Sequence, residues 1–303
     1  MFAPASADPV AVPVGSSALG GMKELMASHD AFIIDQWGVL HDGHAPYPGA
    51  IDCLQRIRAA GKAVVMLSNS GKRGEDNARL VEKMGFARAL FDAVVCAGDD
   101  ARDAILHDPD PFYRTLGPRC LLMARPEDLH LADGLDRQMV GDVEQADFLL
   151  VLSMNAPTQS LALWQPTLAR AAARGLPMVC GNPDLARVSA SGELFEAPGL
   201  LARHYAELGG AVRNHGKPSP RIYNTCLRSL AYPQHRIACI GDSLLHDVAG
   251  AAGVGLPCVF VASGVHREEL GVAFGQMPDP TTCERLYAQT GARPDYLVPT
   301  FRW

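Results

Sequence analysis

Four places in this sequence carry residue types that work together chemically: Asp35, Ser68, Lys217 and the pair Asp242/Asp247. A carboxylate able to attack phosphorus, a hydroxyl, a cation and a further carboxylate group are what phosphoryl transfer asks of a protein. The cation and a bound metal neutralise the phosphoryl oxygens as charge shifts onto them. Magnesium suits such a set, since it takes hard oxygen ligands in near-octahedral geometry and fills the rest with water; Asp35 and Asp242 are oxygen donors of that kind. Each residue also has a plainer reading as a turn former or helix cap. That reading is weakest at Asp242 and Asp247, because Gly241 leaves the approach to the first carboxylate open.

The elements around these residues place them alike. Ala31–Ile34 reads as a short buried strand with Asp35 at its carboxyl end, where open α/β sheets bind ligands. Helix 50–60, strand 62–67 ending in Ser68-Asn69-Ser70, helix 75–84 with Leu80, Val81 and Met84 inward, strand 91–96 and helix 99–106 follow in alternation. That order predicts a mostly parallel sheet covered on both faces. The texture breaks at His107-Asp-Pro-Asp-Pro111. Strands 119–123, 147–152 and 176–180 and helix 161–174 then form a second α/β unit. After helix 200–208 and a short strand 211–214, Ser219 caps a helix with Pro220 in its first position. Strand 236–240 leads into Gly241-Asp242. The expected architecture is a Rossmann-like core, 22–107 and 194–303, with an α/β cap inserted at 108–193. Met1–Gly21, rich in Ala, Pro, Val and Ser and lacking a basic start, reads as a loose arm and not a signal peptide.

Composition narrows the field. The chain has 303 residues, 48% apolar and 20% charged, with a net charge of -6. It shows no long basic run to serve a nucleic acid, and no stretch long and apolar enough for a membrane span. Its eight cysteines form no CxxC pair and read as buried, reduced thiols of a cytoplasmic protein. Neither a zinc-spaced His/Cys cluster, nor a phosphate-cradling P-loop, nor a GxGxxG turn is present.

Asp35-Gln-Trp37-Gly-Val-Leu, Ser68-Asn69-Ser70, Lys217-Pro218 and Gly241-Asp242-Ser-Leu-Leu-His-Asp247, in that order, resemble the four motifs of the haloacid dehalogenase-like hydrolases. With Asn182-Pro183-Asp184, they resemble the subfamily of N-acetylglucosamine/UMP phosphatase-like and nitrophenylphosphatase-like proteins. The resemblance covers about residues 30–265 and implies roles. Asp35 would form an aspartyl-phosphate. Ser68 would bond a phosphoryl oxygen, Asn69 and Ser70 would contact substrate, and Lys217 would hold the phosphoryl group. Asp35, Asp242, Asp247 and the backbone carbonyl of Trp37 would serve Mg2+. A homodimer is also implied.

The departure is Trp37, which stands where the family's phosphatases carry a second aspartate as general acid and base. Indole offers no proton chemistry near neutral pH, and such help is worth ~10²–10⁴-fold in rate. His41 is a candidate replacement, since imidazole titrates near pH 7. Trp37 itself either packs over the site mouth or stacks on an aromatic leaving group. Met154, Asn155, Asn182 and Asp184 are candidate cap contributions to substrate binding, with Asn182 and Asp184 also fitting a hinge turn. His215 is read as a phosphate contact or a surface residue, and Ser263-Gly264-Val265-His266 as an entrance. The expected function is magnesium-dependent hydrolysis of a small phosphate monoester, slowed by Trp37. The alternative is a non-catalytic phosphate- or metabolite-binding protein that keeps its magnesium site.

Overall fold

The computed structural model describes residues 15–188 and 194–303. Seven parallel strands form one sheet, in the order β1 (Ser17–Ala18), β14 (Tyr296–Val298), β13 (Cys258–Val261), β12 (Ile237–Gly241), β2 (Ala31–Asp35), β3 (Ala63–Ser68) and β4 (Ala93–Cys96). The unbroken apolar run of β2 follows from burial on both faces. Ala31 and Ile33 join one apolar layer with Val65 and Leu67, while Phe32 and Ile34 join the other with Val64 and Met66. The chain runs β2, β3, β4 to one side and later returns at β12 on the other side of β2. The switch in strand order therefore falls between β2 and β12, which pair with Ile240 opposite Ile34. Asp35 and Asp242 leave the sheet on either side of that crevice.

A second sheet has the order β11 (Val212–Asn214), β8 (Met178–Cys180), β7 (Phe148–Val151), β5 (Arg119–Met123) and β6 (Gln138–Met139). A two-stranded antiparallel pair, β9 (Ala186–Val188) and β10 (Leu194–Glu196), completes the strands among the described residues. Most elements fall within a residue or two of the sequence reading. Leu80 does not point inward: it is exposed, and Gly74, Asn77, Ala78 and Val81 make the buried side of the helix Gly74–Lys83. Ahead of β2, Met22–Leu25 forms a single 3-10 turn.

Two boundaries also differ. Residues 1–14 of the expected loose arm lie outside the described residues. The rest of it is held: Ser17 and Ala18 pair with Tyr296 and Leu297, and Ser16 Oγ donates to the Pro294 carbonyl at 2.6 Å. A two-residue strand is too short to show alternation, so sequence could not reveal it. The return to the first sheet comes later than residue 194. Helix Pro198–Glu207 buries Leu201, Ala202 and Tyr205 among residues of the second sheet, and β11 is an edge strand of that sheet. Strand 212–214 is apolar only in part, so its pattern did not show which sheet it joins. No helix among the described residues is long and apolar enough to cross a membrane.

Candidate active site

Asp35, Lys217, Asp242 and Asp247 meet at the carboxyl end of the first sheet. All four are buried. Lys217 Nζ donates to Asp35 Oδ1 at 2.6 Å and to Asp247 Oδ1 at 2.8 Å. The three carboxylates each offer an oxygen within 4.8 Å of the others. Lys217 arrives from the loop between β11 and the helix Pro220–Arg228, whose Ser219 cap accepts from the Arg221 N–H as the sequence predicts. Asp242 follows β12, and Asp247 lies one turn on, held by the Ser243 N–H at 3.1 Å.

Two glycines make this packing feasible. Gly38 has φ +84, and a Cβ there would collide with the Asp242 carboxylate. Gly264 also lies against the Asp242 side chain, and the next residue, Val265, donates its N–H to Asp242 Oδ2 at 2.7 Å.

The electrostatics are unbalanced. Three buried carboxylates face one ammonium group, and among the described residues Asp242 has no cationic partner. Burial, then Asp35 and Asp247, push the Asp242 pKa well above its usual range. Burial likewise raises Asp35, opposed by the Lys217 charge. Burial works against the charge on Lys217, but Asp247 and Asp35 outweigh it and raise that pKa. The donor set is oxygen-only and two charges short of neutrality, which fits a hard divalent cation. Moreover, no backbone hydrogen bond to the Trp37 carbonyl is present among the described residues, so a fourth oxygen is uncommitted.

Other residues singled out in the sequence are placed differently. Ser68 ends β3, one residue past Leu67, the register partner of Asp35; its Oγ accepts from the Ser70 N–H at 3.2 Å, while Ser70 Oγ accepts from the Lys72 N–H. Asn69 is buried and bridges three segments. Its Nδ2 donates to Asp184 Oδ1 at 2.8 Å, and its Oδ1 accepts from the Lys217 N–H at 2.7 Å. Asn182 Oδ1 accepts from the Asp184 N–H, which is the hinge-turn reading, and Asp184 also lies 3.5 Å from His246 Nδ1. Met154 is buried in the second sheet's apolar cluster, and Asn155 is exposed in a local turn.

The His41 ring makes no hydrogen bond to Asp35. Its Nδ1 accepts from the Gly43 N–H at 3.0 Å, its Nε2 is buried without a partner, and its ring faces Phe86 and the edge of Trp37. Burial lowers its pKa to about 4, so it is neutral at physiological pH and poorly suited as a proton donor. Sequence proximity misled here because the turn at Gly38 directs this side chain into the apolar layer. The indole of Trp37 lies against Gly43 and remains 36% exposed. His215 is not on the surface but buried, and both ring nitrogens are engaged: Nδ1 pairs with Asp100 Oδ2 at 2.7 Å and Nε2 with the Tyr113 hydroxyl at 2.9 Å. His266 Nε2 accepts from the Leu244 N–H at 3.3 Å and so braces the Asp242 loop. The Asp100 and Tyr113 contacts, like the Val265 N–H, carried no sequence signal, because each partner is remote along the chain.

Comparison with known proteins agrees with this geometry. A model of haloacid dehalogenase-like hydrolases matches residues 32–136, and a second, HAD-hydrolase-like model matches residues 214–302. The chain belongs to the haloacid dehalogenase-like hydrolases. This hydrolase is 24% identical over 277 residues to the D-glycerol 3-phosphate phosphatase of Mycobacterium tuberculosis, covering 91% of this chain and 71% of that one. It is similar to a haloacid dehalogenase-like hydrolase from Brucella suis 1330, with TM-score 0.78, 28% identity and coverage of 93% and 99%. It also shares the fold of a Mycobacterium tuberculosis glycerol phosphate phosphatase solved in complex with magnesium, with TM-score 0.66, 23% identity and coverage of 91% and 76%.

Proposed function

We propose that this hydrolase cleaves small phosphate monoesters through an aspartyl-phosphate on Asp35, in a magnesium-dependent reaction. The observation that carries this reading is the buried cluster of Asp35, Asp242 and Asp247 around a single lysine at the switch point of the sheet. Asp35 supplies the nucleophilic oxygen. Lys217 orients it and offers positive charge to the phosphoryl oxygens. The Ser68 hydroxyl stands at the adjacent strand end as a further donor. Asp35, Asp242 and the Trp37 carbonyl would hold the magnesium ion, with Asp247 bracing the loop. Bound there, the ion neutralises phosphoryl charge as a Lewis acid. Asn69 has both ends engaged, so it positions Lys217 and the 182–184 turn and need not touch substrate.

Trp37 leaves both proton transfers without an obvious protein donor, because His41 is turned away and held neutral. Slow turnover follows from that. The same observation supports the second reading, a phosphate-ester binder with no useful turnover. The test is phosphate release from a panel of monoesters with and without magnesium, for wild type and Asp35→Asn, alongside calorimetric binding. Magnesium-dependent release that Asp35→Asn abolishes is expected. Saturable binding with no release from any ester would favour the binder.

A further inference from the structure

The loop after β12 carries two of the three carboxylates, Asp242 and Asp247, and their separation decides whether one ion can take an oxygen from each. The loop is partly closed on itself: Asp247 Oδ2 accepts from the Ser243 N–H at 3.1 Å, and Ser243 Oγ accepts from the His246 N–H at 3.2 Å. A second grip comes from Ser263-Gly264-Val265-His266, the segment that follows β13. Val265 donates its N–H to Asp242 Oδ2 at 2.7 Å, and His266 Nε2 accepts from the Leu244 N–H at 3.3 Å, at the start of the turn that leads to Asp247. One segment thus holds the first carboxylate and the turn carrying the second. That segment is itself anchored. Ser263 is buried, and its Oγ donates to the Pro299 carbonyl and accepts from the Gly275 N–H at 2.8 Å.

The His266 ring can do this in one tautomer only. An Nε2 that accepts from an N–H bears no proton, so the ring proton sits on Nδ1. Nδ1 donates it to the carboxylate of Glu269, the third residue of helix Arg267–Leu270. With the proton on Nε2 instead, a ring N–H would face the Leu244 N–H and the contact would be lost. The Glu269 side chain is 60% exposed and that of His266 only 12%. As a surface pair it is worth little to stability. As the group that selects a tautomer, it reaches through the ring to the loop of Asp242 and Asp247, in the way outer partners orient metal ligands.

We propose that His266 and Glu269 are positioning residues for the magnesium site: Glu269 fixes the His266 tautomer, and His266 holds the turn between Asp242 and Asp247 at the span one ion needs. This rests on the magnesium-dependent reading above, and neither residue is a ligand of the ion.

The experiment is isothermal titration of magnesium into the chelator-stripped protein, for wild type, Glu269→Ala, Glu269→Gln, Glu268→Ala and His266→Phe. The magnesium Kd should rise about tenfold in Glu269→Ala and in His266→Phe. Glu269→Gln keeps an acceptor for the Nδ1 proton and should bind as wild type does. Glu268→Ala removes the neighbouring exposed charge and should leave the affinity unchanged. The melting temperature of metal-free Glu269→Ala should match wild type, which a purely structural role for the pair would not allow. Wild-type affinity in Glu269→Ala would overturn the inference. So would a loss in Glu269→Gln as large as in Glu269→Ala, since the loss would then follow charge and not the tautomer. Either result leaves the phosphatase reading intact. Glu269 lies on the surface, so its two variants decide the matter even where His266→Phe fails to fold. A wild-type protein that takes up no magnesium would overturn the magnesium-dependent reading and this inference with it.

Discussion

Asp242 is the residue on which charge and stability conflict most directly. A buried carboxylate without a cation partner costs folding free energy. Asp242→Asn should therefore raise the melting temperature of the metal-free protein while weakening magnesium binding by more than about tenfold. Calorimetry in chelator and isothermal titration with magnesium read the two effects, and a variant that loses stability in chelator would remove the charge argument. Trp37→Asp supplies a carboxylate two residues after the nucleophile. If proton transfer limits the reaction, kcat should rise by roughly 10²-fold for aliphatic esters and little for nitrophenyl phosphate. Steady-state kinetics over pH 5 to 9 measures this, and an equal gain for both esters would exclude protonation as the cause. His41 makes a pH prediction. Its folded pKa is about 4 against 6.5 in the unfolded chain, so the unfolded state binds more protons between those values. Its contribution is full above pH 6.5 and is lost as pH falls toward 4, a loss of about 3 kcal/mol. His41→Asn keeps an acceptor for the Gly43 N–H and should flatten the acid limb of a denaturant-derived stability profile by that amount. Asp35, Asp242 and Lys217 were legible from sequence because each ends a strand or follows one within three residues, and Asp247 because it lies one turn beyond Asp242. The direction of His41 was not, since it depends on the turn geometry at Gly38.

At the scale of elements, the structure shows how two distant segments are fastened beside the site. Asp100, on the helix Ala97–His107, accepts from His215 through one oxygen and from the Arg221 guanidinium through the other, at 2.7 and 2.9 Å. Arg221 also reaches Asp108 and Asp103, and Tyr113 closes the group from the far side of the break at residue 110. The chain leaves the first sheet and returns to it at this knot, just ahead of Lys217. Asp100→Ala strips the buried His215 of its partner and should cost about 3 kcal/mol of stability. Asp103→Ala, at an exposed end of the same arginine, should cost under about 1 kcal/mol. Urea denaturation of both variants checks the contrast, and equal losses would show that the buried pair is not what holds the knot. The helices and strands involved were readable from their periodicity and caps. Their contacts were not, because Asp100 and Arg221 look like surface charges on amphipathic helices until the fold brings them together.

For the whole molecule, the membership of the second sheet decides where the inserted unit ends. We propose that it runs from about residue 108 to Asn214, and not to 193, because helix Pro198–Glu207 and β11 bury their apolar residues against that sheet. Sequence showed the alternation of both units but gave no sign of which sheet the short, half-polar β11 joins. The two boundaries predict different outcomes for excision. Removing 108–193 would leave Leu201, Ala202 and Tyr205, all buried in the intact protein, without their cover. Removing 109–213 takes that helix and β11 away together. The cut ends are close: Asp100 holds His215 while Arg221, the second residue of the next helix, holds Asp108, so a short glycine–serine linker suffices. Both excisions uncover Ala101, Ala104 and Ile105, which face the second sheet's apolar cluster, so Ile105→Gln accompanies each. The 109–213 excision should unfold cooperatively in calorimetry with the circular dichroism of a parallel α/β sheet, and should still bind magnesium at the carboxylates. The 108–193 excision should aggregate or melt without a defined transition. Should the shorter excision prove the more stable, helix Pro198–Glu207 would belong with the first sheet after all.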